Sequence, residues 1–226
     1  MNSESQFNNN IAQAYNEEYY ERGLVTGISG YLNYTWMPEL TIRMAHFIIN
    51  ELKLNATSAV LDFGCAKGYL VKALRLLNIP CNGVDISSYA INNADNIVKI
   101  YCSHVSGVFD TSLYQSNYDW MLAKDVFEHI PEIELIYLLN NFKFNVSNIL
   151  AIIPLSENDH CGKYIIPAYD NDITHLIIKS QEWWINFFST NGWNLTKFSN
   201  EFPGCKENWT SKFPRGNGFF YLTRSR

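Results

Sequence analysis

"VLDFGCAKGYL", Val60–Leu70, is the stretch on which the fold turns. Val60–Phe63 is apolar except for Asp62, the composition of a strand buried on both faces. Gly64-Cys65-Ala66-Lys67-Gly68 follows as a tight turn of mostly small residues, and Tyr69 begins a helical pattern. Strand, small-residue turn and helix together open a βαβ unit. Turns of this kind, at the carboxyl end of a strand, hold nucleotide-like ligands in open α/β sheets.

Outward from that point the pattern repeats. Strands are expected at Ala59–Phe63, Asn82–Ile86, around His104–Phe109, at Tyr118–Lys124 and at Asn148–Ile153. Helices are expected at Tyr69–Leu77, Ser88–Asn96, and from Pro131 to about Phe144. The last carries Leu135, Leu138, Leu139 and Phe142 at i, i+3, i+4 and i+7. Strands separated by helices predict right-handed crossovers and a parallel sheet.

Upstream, residues 1–10 are polar and expected to be loose. Residues 14–36 set Tyr15, Tyr19, Tyr20, Tyr31 and Tyr34 around a Gly/Ser-rich middle, which reads as a short helix followed by a lid-like loop. Pro38 opens a further helix with apolar positions at Leu40, Met44, Phe47, Ile48 and Leu52. Downstream, residues 154–180 break the alternation with Pro154 and Pro167 and read as an insertion over the sheet's carboxyl edge. Gln181–Asn191 is a helix ended by Gly192. Trp193–Ser199 and Phe219–Thr223 are late strands able to pair as an antiparallel hairpin at the sheet's edge. The expected organisation is one α/β domain over 1–226. It divides into a helical lid segment (1–57), a ligand-binding core (58–155), an acceptor-side insertion (156–180) and a C-terminal helix and hairpin (181–226).

With 226 residues, 47% of them hydrophobic, the chain can bury a core without staples. A net charge of −5 argues against a nucleic-acid partner, which calls for a basic face. The five cysteines are odd in number and form no C-x-x-C pair, so a disulfide framework and a zinc ribbon are not expected. No apolar run approaches the roughly 18 residues of a membrane span, and the N-terminus has no apolar leader segment. A cytoplasmic protein with reduced thiols is expected.

Three ligands compete for the turn. A Walker loop needs Gly-x-x-x-x-Gly-Lys-Ser/Thr, but here Gly64 and Gly68 are too close and Tyr69 stands in place of the lysine. A dinucleotide loop needs Gly-x-Gly-x-x-Gly, and this turn is one residue short with Ala66 at the middle glycine. S-adenosylmethionine has no phosphates and carries a cationic sulfonium and ammonium. Asp62 at the strand end suits that cationic portion. Asp85, 21 residues after Gly64, is placed to accept two ribose hydroxyls of any adenosine ligand.

At this point the chain resembles the class I S-adenosylmethionine-dependent methyltransferases over about residues 58–155. LDFGCAKG is similar to the family's first motif and GVDIS, Gly83–Ser87, to its second. Val108-Phe109-Asp110 stands where the family contacts adenine. YDWMLAKDVFEHIP, Tyr118–Pro131, is similar to the signature around the fourth strand. The chain departs at Ala66, where many members have glycine. The resemblance implies a Rossmann-like, doubly wound, mostly parallel seven-stranded sheet with helices on both faces and an antiparallel edge strand. It implies S-adenosyl-L-methionine as cofactor and S-adenosyl-L-homocysteine as product. The cofactor would be held by Asp62, Gly64, Cys65, Ala66, Gly68, Asp85, Ile86, Phe109, Asp110, Lys124 and Asp125, with Tyr19 closing over it. Lys67 reads as a solvated loop residue.

Methyl transfer needs alignment and dryness, and a hydroxyl acceptor also needs its proton removed. His129, after the fourth strand, is the expected base, or else a brace for the loop before Pro131. Asp125, Glu128 and His129 lie within five residues, too weak a signal to predict a metal. Tyr31, Tyr34, His160, His175 and Arg215 are the expected acceptor-side residues. The acceptor is expected to be a small polar molecule methylated on oxygen. The segment SGYLNYTWMPEL leans toward enzymes of bacterial sugar or surface-polysaccharide precursors. An RNA or protein methyltransferase and a noncatalytic cofactor-binding subunit are the other readings. The expected assembly is a monomer or homodimer.

Overall fold

The computed structural model describes residues 12–225. The polar start, residues 1–10, lies outside the described residues.

Seven strands form one sheet: β1 Val60–Phe63, β2 Cys81–Asp85, β3 Cys102–His104, β4 Tyr118–Lys124, β5 Val146–Pro154, β6 Trp193–Ser199 and β7 Asn217–Arg224. Their order is β3-β2-β1-β4-β5-β7-β6. The first five pair in parallel. β7 runs antiparallel to both β5 and β6, and β6 closes the edge. The helices are α1 Pro38–Leu52, α2 Tyr69–Leu76, α3 Ser88–Asn92, α4 Glu132–Phe142, α5 Gln181–Thr190 and α6 Glu207–Lys212.

The strand pattern sorts the core. Met121, Ala123, Ile149, Ala151 and Phe220 pack on the face covered by Leu135, Leu139, Phe142, Trp184 and Phe188 of α4 and α5. Leu122, Leu150, Ile152, Phe219 and Tyr221 point the other way, toward Ile48 and Leu52 of α1 and Val71 and Leu74 of α2. Alternate side chains of one strand thus feed opposite layers, which is why the central strands read as unbroken apolar runs. Ser87 and Ser180 start α3 and α5 by accepting the N–H of Ala90 and Trp183.

Three local expectations are corrected. The third strand lies at Cys102–His104, earlier than His104–Phe109. Val105 N–H still donates to Asp85 O at 3.0 Å, but Gly107 at φ 131° then turns the chain, and Val105 and Val108 drop into the core. The helix after β2 stops at Asn92 rather than Asn96. The glycine-rich span before β7 contains α6, which its Pro/Gly punctuation concealed.

The strand order reverses between β1 and β4, which sit side by side and lead outward to opposite wings of the sheet. Crevices for ligands open at such a switch point, beyond the carboxyl ends of the strands. Here those ends are Phe63 and Lys124. No helix among the described residues is long and apolar enough to cross a membrane.

Candidate active site

A cavity of about 250 Å³ opens at that switch point. Asp62, Gly64, Cys65 and Ala66 form its floor beside β1, with Asp85 and Ile86 from the end of β2 and Lys124 and Asp125 from the end of β4. Tyr15, Tyr19, Tyr20, Tyr31 and Tyr34 form the opposite wall.

Those tyrosines belong to a strap, a helical turn at Glu18–Arg22 and another at Gly23–Thr26, with an irregular tail to Trp36. It is tied down at both ends of the cavity. Lys67 Nζ meets Glu21 Oε1 at 2.5 Å and Tyr34 O at 2.8 Å, and Tyr89 OH donates to the same Glu21 oxygen at 3.0 Å. At the far end Tyr19 OH donates to Asp172 Oδ2 at 2.8 Å. Lys67 is therefore buried in an ion pair between loop and strap, a correction to its reading as solvated. Its partner lies 46 residues away, beyond any local pattern.

Four of the loop's N–H groups are spent internally. Gly64 and Cys65 donate to Val84 O at 2.9 and 3.0 Å, Ala66 to Asp85 Oδ2 at 2.7 Å, and Gly68 to Cys65 O at 2.8 Å. A pyrophosphate cradle needs such groups aimed at the ligand. This loop instead offers the cavity a small-residue floor and carboxylates. Asp85 also accepts Ser87 N–H at 2.7 Å, so it fixes the loop through both oxygens and keeps a lone pair on each. Burial raises it above the usual carboxylate range. Burial, with Asp85 nearby, pushes Asp62 up to about 7 against the opposing pull of Lys124. A buried acid titrating near neutrality, faced by tyrosine rings, suits a cationic ligand without phosphates.

At the end of β4, Asp125 is shared by two lysines. Lys124 Nζ meets it at 2.5 Å, and Lys206 also pairs with it while donating to Asn217 Oδ1 at 2.8 Å and Tyr169 OH at 3.0 Å. The pair of cations holds Asp125 below the ordinary carboxylate range despite burial. Lys206, from the loop before α6, carries no motif and was invisible in the sequence.

His129 follows in a turn at Phe127–His129 and lines the cavity. Its Nδ1 lies 2.9 Å from Thr174 Oγ1, and that hydroxyl donates to Asp172 Oδ1 at 2.5 Å. The threonine's one proton is committed to Asp172, so His129 Nδ1 carries a proton and donates, leaving Nε2 with its lone pair. Burial and the neighbouring His175 push His129 down to about 4, so its ring is neutral at physiological pH. The rings of His129 and His175 lie 4.5 Å apart.

Of the expected site residues, Asp62, Gly64, Cys65, Ala66, Asp85, Ile86, Lys124, Asp125, Tyr19, Tyr31, Tyr34 and His129 are brought to one cavity. His175 packs behind His129, and Gly68 caps α2 at φ 73°. Phe109 and Asp110 are not among its lining residues. Phe109 is half exposed against Tyr137, and Asp110 accepts the N–H groups of Ser106 and Ser112. That end of the cavity is walled by Val105, Gly107, Val108 and Leu113. His160 is exposed in the insertion, its N–H donated to Asn158, and Arg215 is exposed against Glu157. Asp172, Thr174 and Tyr69 join the site with no sequence signal.

A family model for the methyltransferase domain matches residues 36–196. The chain belongs to this family. It is an S-adenosylmethionine-dependent methyltransferase, and Asp62, the loop and the tyrosines fit that cofactor's cationic end. The fold is similar to an S-adenosylmethionine-dependent methyltransferase of Archaeoglobus fulgidus at TM-score 0.60 and 15% identity, covering 80% of this chain and 92% of that one. The mitomycin 7-O-methyltransferase MmcR is similar at TM-score 0.56 and 12% identity, covering 96% and 67%. CalO1, a methyltransferase of calicheamicin biosynthesis in its S-adenosylhomocysteine-bound form, is similar at TM-score 0.53 and 14% identity, covering 80% and 53%, so the chain spans about half of CalO1's length. A comparison with curated protein sequences finds no match.

Proposed function

We propose that this methyltransferase acts on an oxygen of a small polar acceptor, of the class of sugar-, nucleotide- or phosphate-bearing precursors of surface glycans. The observation that carries the small-acceptor reading is the tyrosine strap laid across the cavity. The strap is latched to the loop through Lys67–Glu21 and to the insertion through Tyr19–Asp172, leaving about 250 Å³ between them. A polymer would need that strap lifted away. The oxygen preference is supported by the neutral imidazole of His129 lining the cavity and by the fold's similarity to MmcR, an O-methyltransferase by name.

S-adenosylmethionine, when bound, would supply a methyl group activated by a cationic sulfur. The chain's residues do the aligning. Asp85 holds the loop closed and offers its remaining lone pairs to ribose hydroxyls. Asp62 would offset the ligand's positive charge. Tyr19, Tyr20 and Tyr31, largely buried and lining the cavity, would exclude water and offer aromatic rings to the sulfonium. His129, neutral and lining the cavity, would receive the hydroxyl proton at Nε2.

The test is a labelled-methyl transfer screen over nucleotide sugars, phosphorylated small molecules and RNA with the full chain. Transfer to a hydroxyl in one of the first two classes supports the reading. Transfer to RNA alone overturns it. His129→Ala is expected to lower kcat by about 10²–10⁴-fold, with cofactor affinity little changed by calorimetry.

A further inference from the structure

We propose that Glu128, His129 and His175 form a site for one divalent transition metal ion of the zinc class, set against the acceptor side of the cavity.

The three side chains place one ligand atom each within 4.8 Å of one another. With Glu128 ionised, all three groups present lone pairs. His129 Nε2 is a lone pair because Nδ1–H is donated to Thr174, whose own proton is held by Asp172. His175 Nδ1 lies 2.9 Å from Tyr169 O. A carbonyl only accepts, so His175 Nδ1 also carries a proton and its Nε2 is again a lone pair. The third is Glu128, 0% exposed, with no hydrogen-bond partner for either carboxylate oxygen among the described residues. Its nearest ring nitrogen, His129 Nε2, is 4.0 Å away, too far for a hydrogen bond. Three converging acceptors with no donor among them are costly in a buried place. A cation at their centre satisfies all three.

Two imidazoles and one carboxylate are a donor set that zinc and its neighbours take, with a fourth position left for an outside ligand. Bonds of about 2.0–2.2 Å require the three atoms to draw together by roughly 1 Å. Both histidines already have the outer partners that metal-bound imidazoles use, Thr174–Asp172 on one and the Tyr169 carbonyl on the other. Glu128 is pinned through its backbone carbonyl, which accepts Leu176 N–H at 2.8 Å and Ile177 N–H at 3.0 Å and so draws the His175 segment over it. Since His129 lines the cavity, a loaded site moves the acceptor's contact from the imidazole to the ion. That consequence rests on the methyl-transfer reading, but metal binding does not.

The experiment is calorimetry of the chelator-treated full chain with zinc chloride, and separately with S-adenosylmethionine, in the wild type and in E128Q and H175N. The expected result is one zinc per chain, weakened at least 10-fold in E128Q and H175N. S-adenosylmethionine should bind all three proteins, which also shows that they are folded. No zinc binding tighter than about 100 μM in wild type, or equal binding in E128Q and H175N, overturns the site and leaves Glu128 simply protonated. In that case retained S-adenosylmethionine binding keeps the methyltransferase reading intact, and its loss in wild type would sink that reading instead.

Discussion

Asp62 is the residue whose protonation sets the cavity's charge. Its folded value, about 7, lies above the ordinary carboxylate value. The folded protein therefore holds the proton more tightly than the unfolded chain does. Stability from this group is fullest in acid and declines as pH rises from about 4 to about 7. Cofactor binding follows the opposite course, because a cationic ligand prefers the carboxylate. The affinity for S-adenosylmethionine is expected to rise as pH climbs through about 7. Asp62→Asn should flatten that dependence and weaken binding at pH 8 by about 10-fold or more. Titration calorimetry between pH 6 and 8 reads both, and a steep pH dependence surviving in the variant would refute the assignment. Asp62 was readable from its place at a strand end. Its near-neutral titration was not, since burial in the packed fold, with Asp85 beside it, produces it.

The loop after β1 and the strap above it act as one element. Ala66 adopts φ 48°, the left-handed conformation that favours glycine, which accounts for the glycine many family members carry there. Gly64 and Gly68 are required outright. At φ 79° and 73°, an added Cβ would also stand 2.4 Å from Val126 Cγ2 and 2.7 Å from Cys102 Sγ. Gly64→Ala and Gly68→Ala should each destabilise the protein by about 1–3 kcal/mol, measured by chemical denaturation. Lys67→Met removes the cation that latches the strap at Glu21 and Tyr34 while keeping the aliphatic stem. Faster hydrogen exchange confined to residues 18–36 is the expected result, with unchanged exchange in β1 and β4. Uniform acceleration would show that Lys67 supports the fold rather than the strap. The tyrosine spacing marked this segment as lid-like. Its latches could not be seen, because each joins residues dozens of positions apart.

At the scale of the whole molecule, stability resides in the two layers that flank the sheet. Trp184 of α5 is fully buried among Phe187, Phe188 and its neighbours in that layer, and its indole N–H has no hydrogen-bond partner among the described residues. Trp184→Ala is expected to cost about 3–5 kcal/mol in urea unfolding. Trp184→Phe should cost less than half as much, since it leaves a much smaller cavity and also removes the unsatisfied N–H. Equal costs would refute the cavity account at that position.

The strands of the core, the loop and the acids at Asp62 and Asp85 were legible in the residues themselves. Each depends on short-range rules: an apolar run between two helical layers, small residues at a tight turn, an acid at the end of a strand. β3 was misplaced because a three-residue strand leaves almost no pattern. The placement of β7 between β5 and β6 depends on which edge the returning chain reaches. Asp172 and Thr174 reach His129 only because Leu176 and Ile177 dock on the Glu128 carbonyl. Lys206 finds Asp125 across 81 residues. The sequence by itself determined the parallel core strands, the turn after β1 and the acids at two strand ends, since these are written in local periodicity and spacing, and their resemblance to a known family pointed to the cofactor class. Only the tertiary structure decided which side chains lose their water together. Burial is a property of packed neighbours, and it converts Asp62 into a group titrating near neutrality and Glu128 into an acid without a partner.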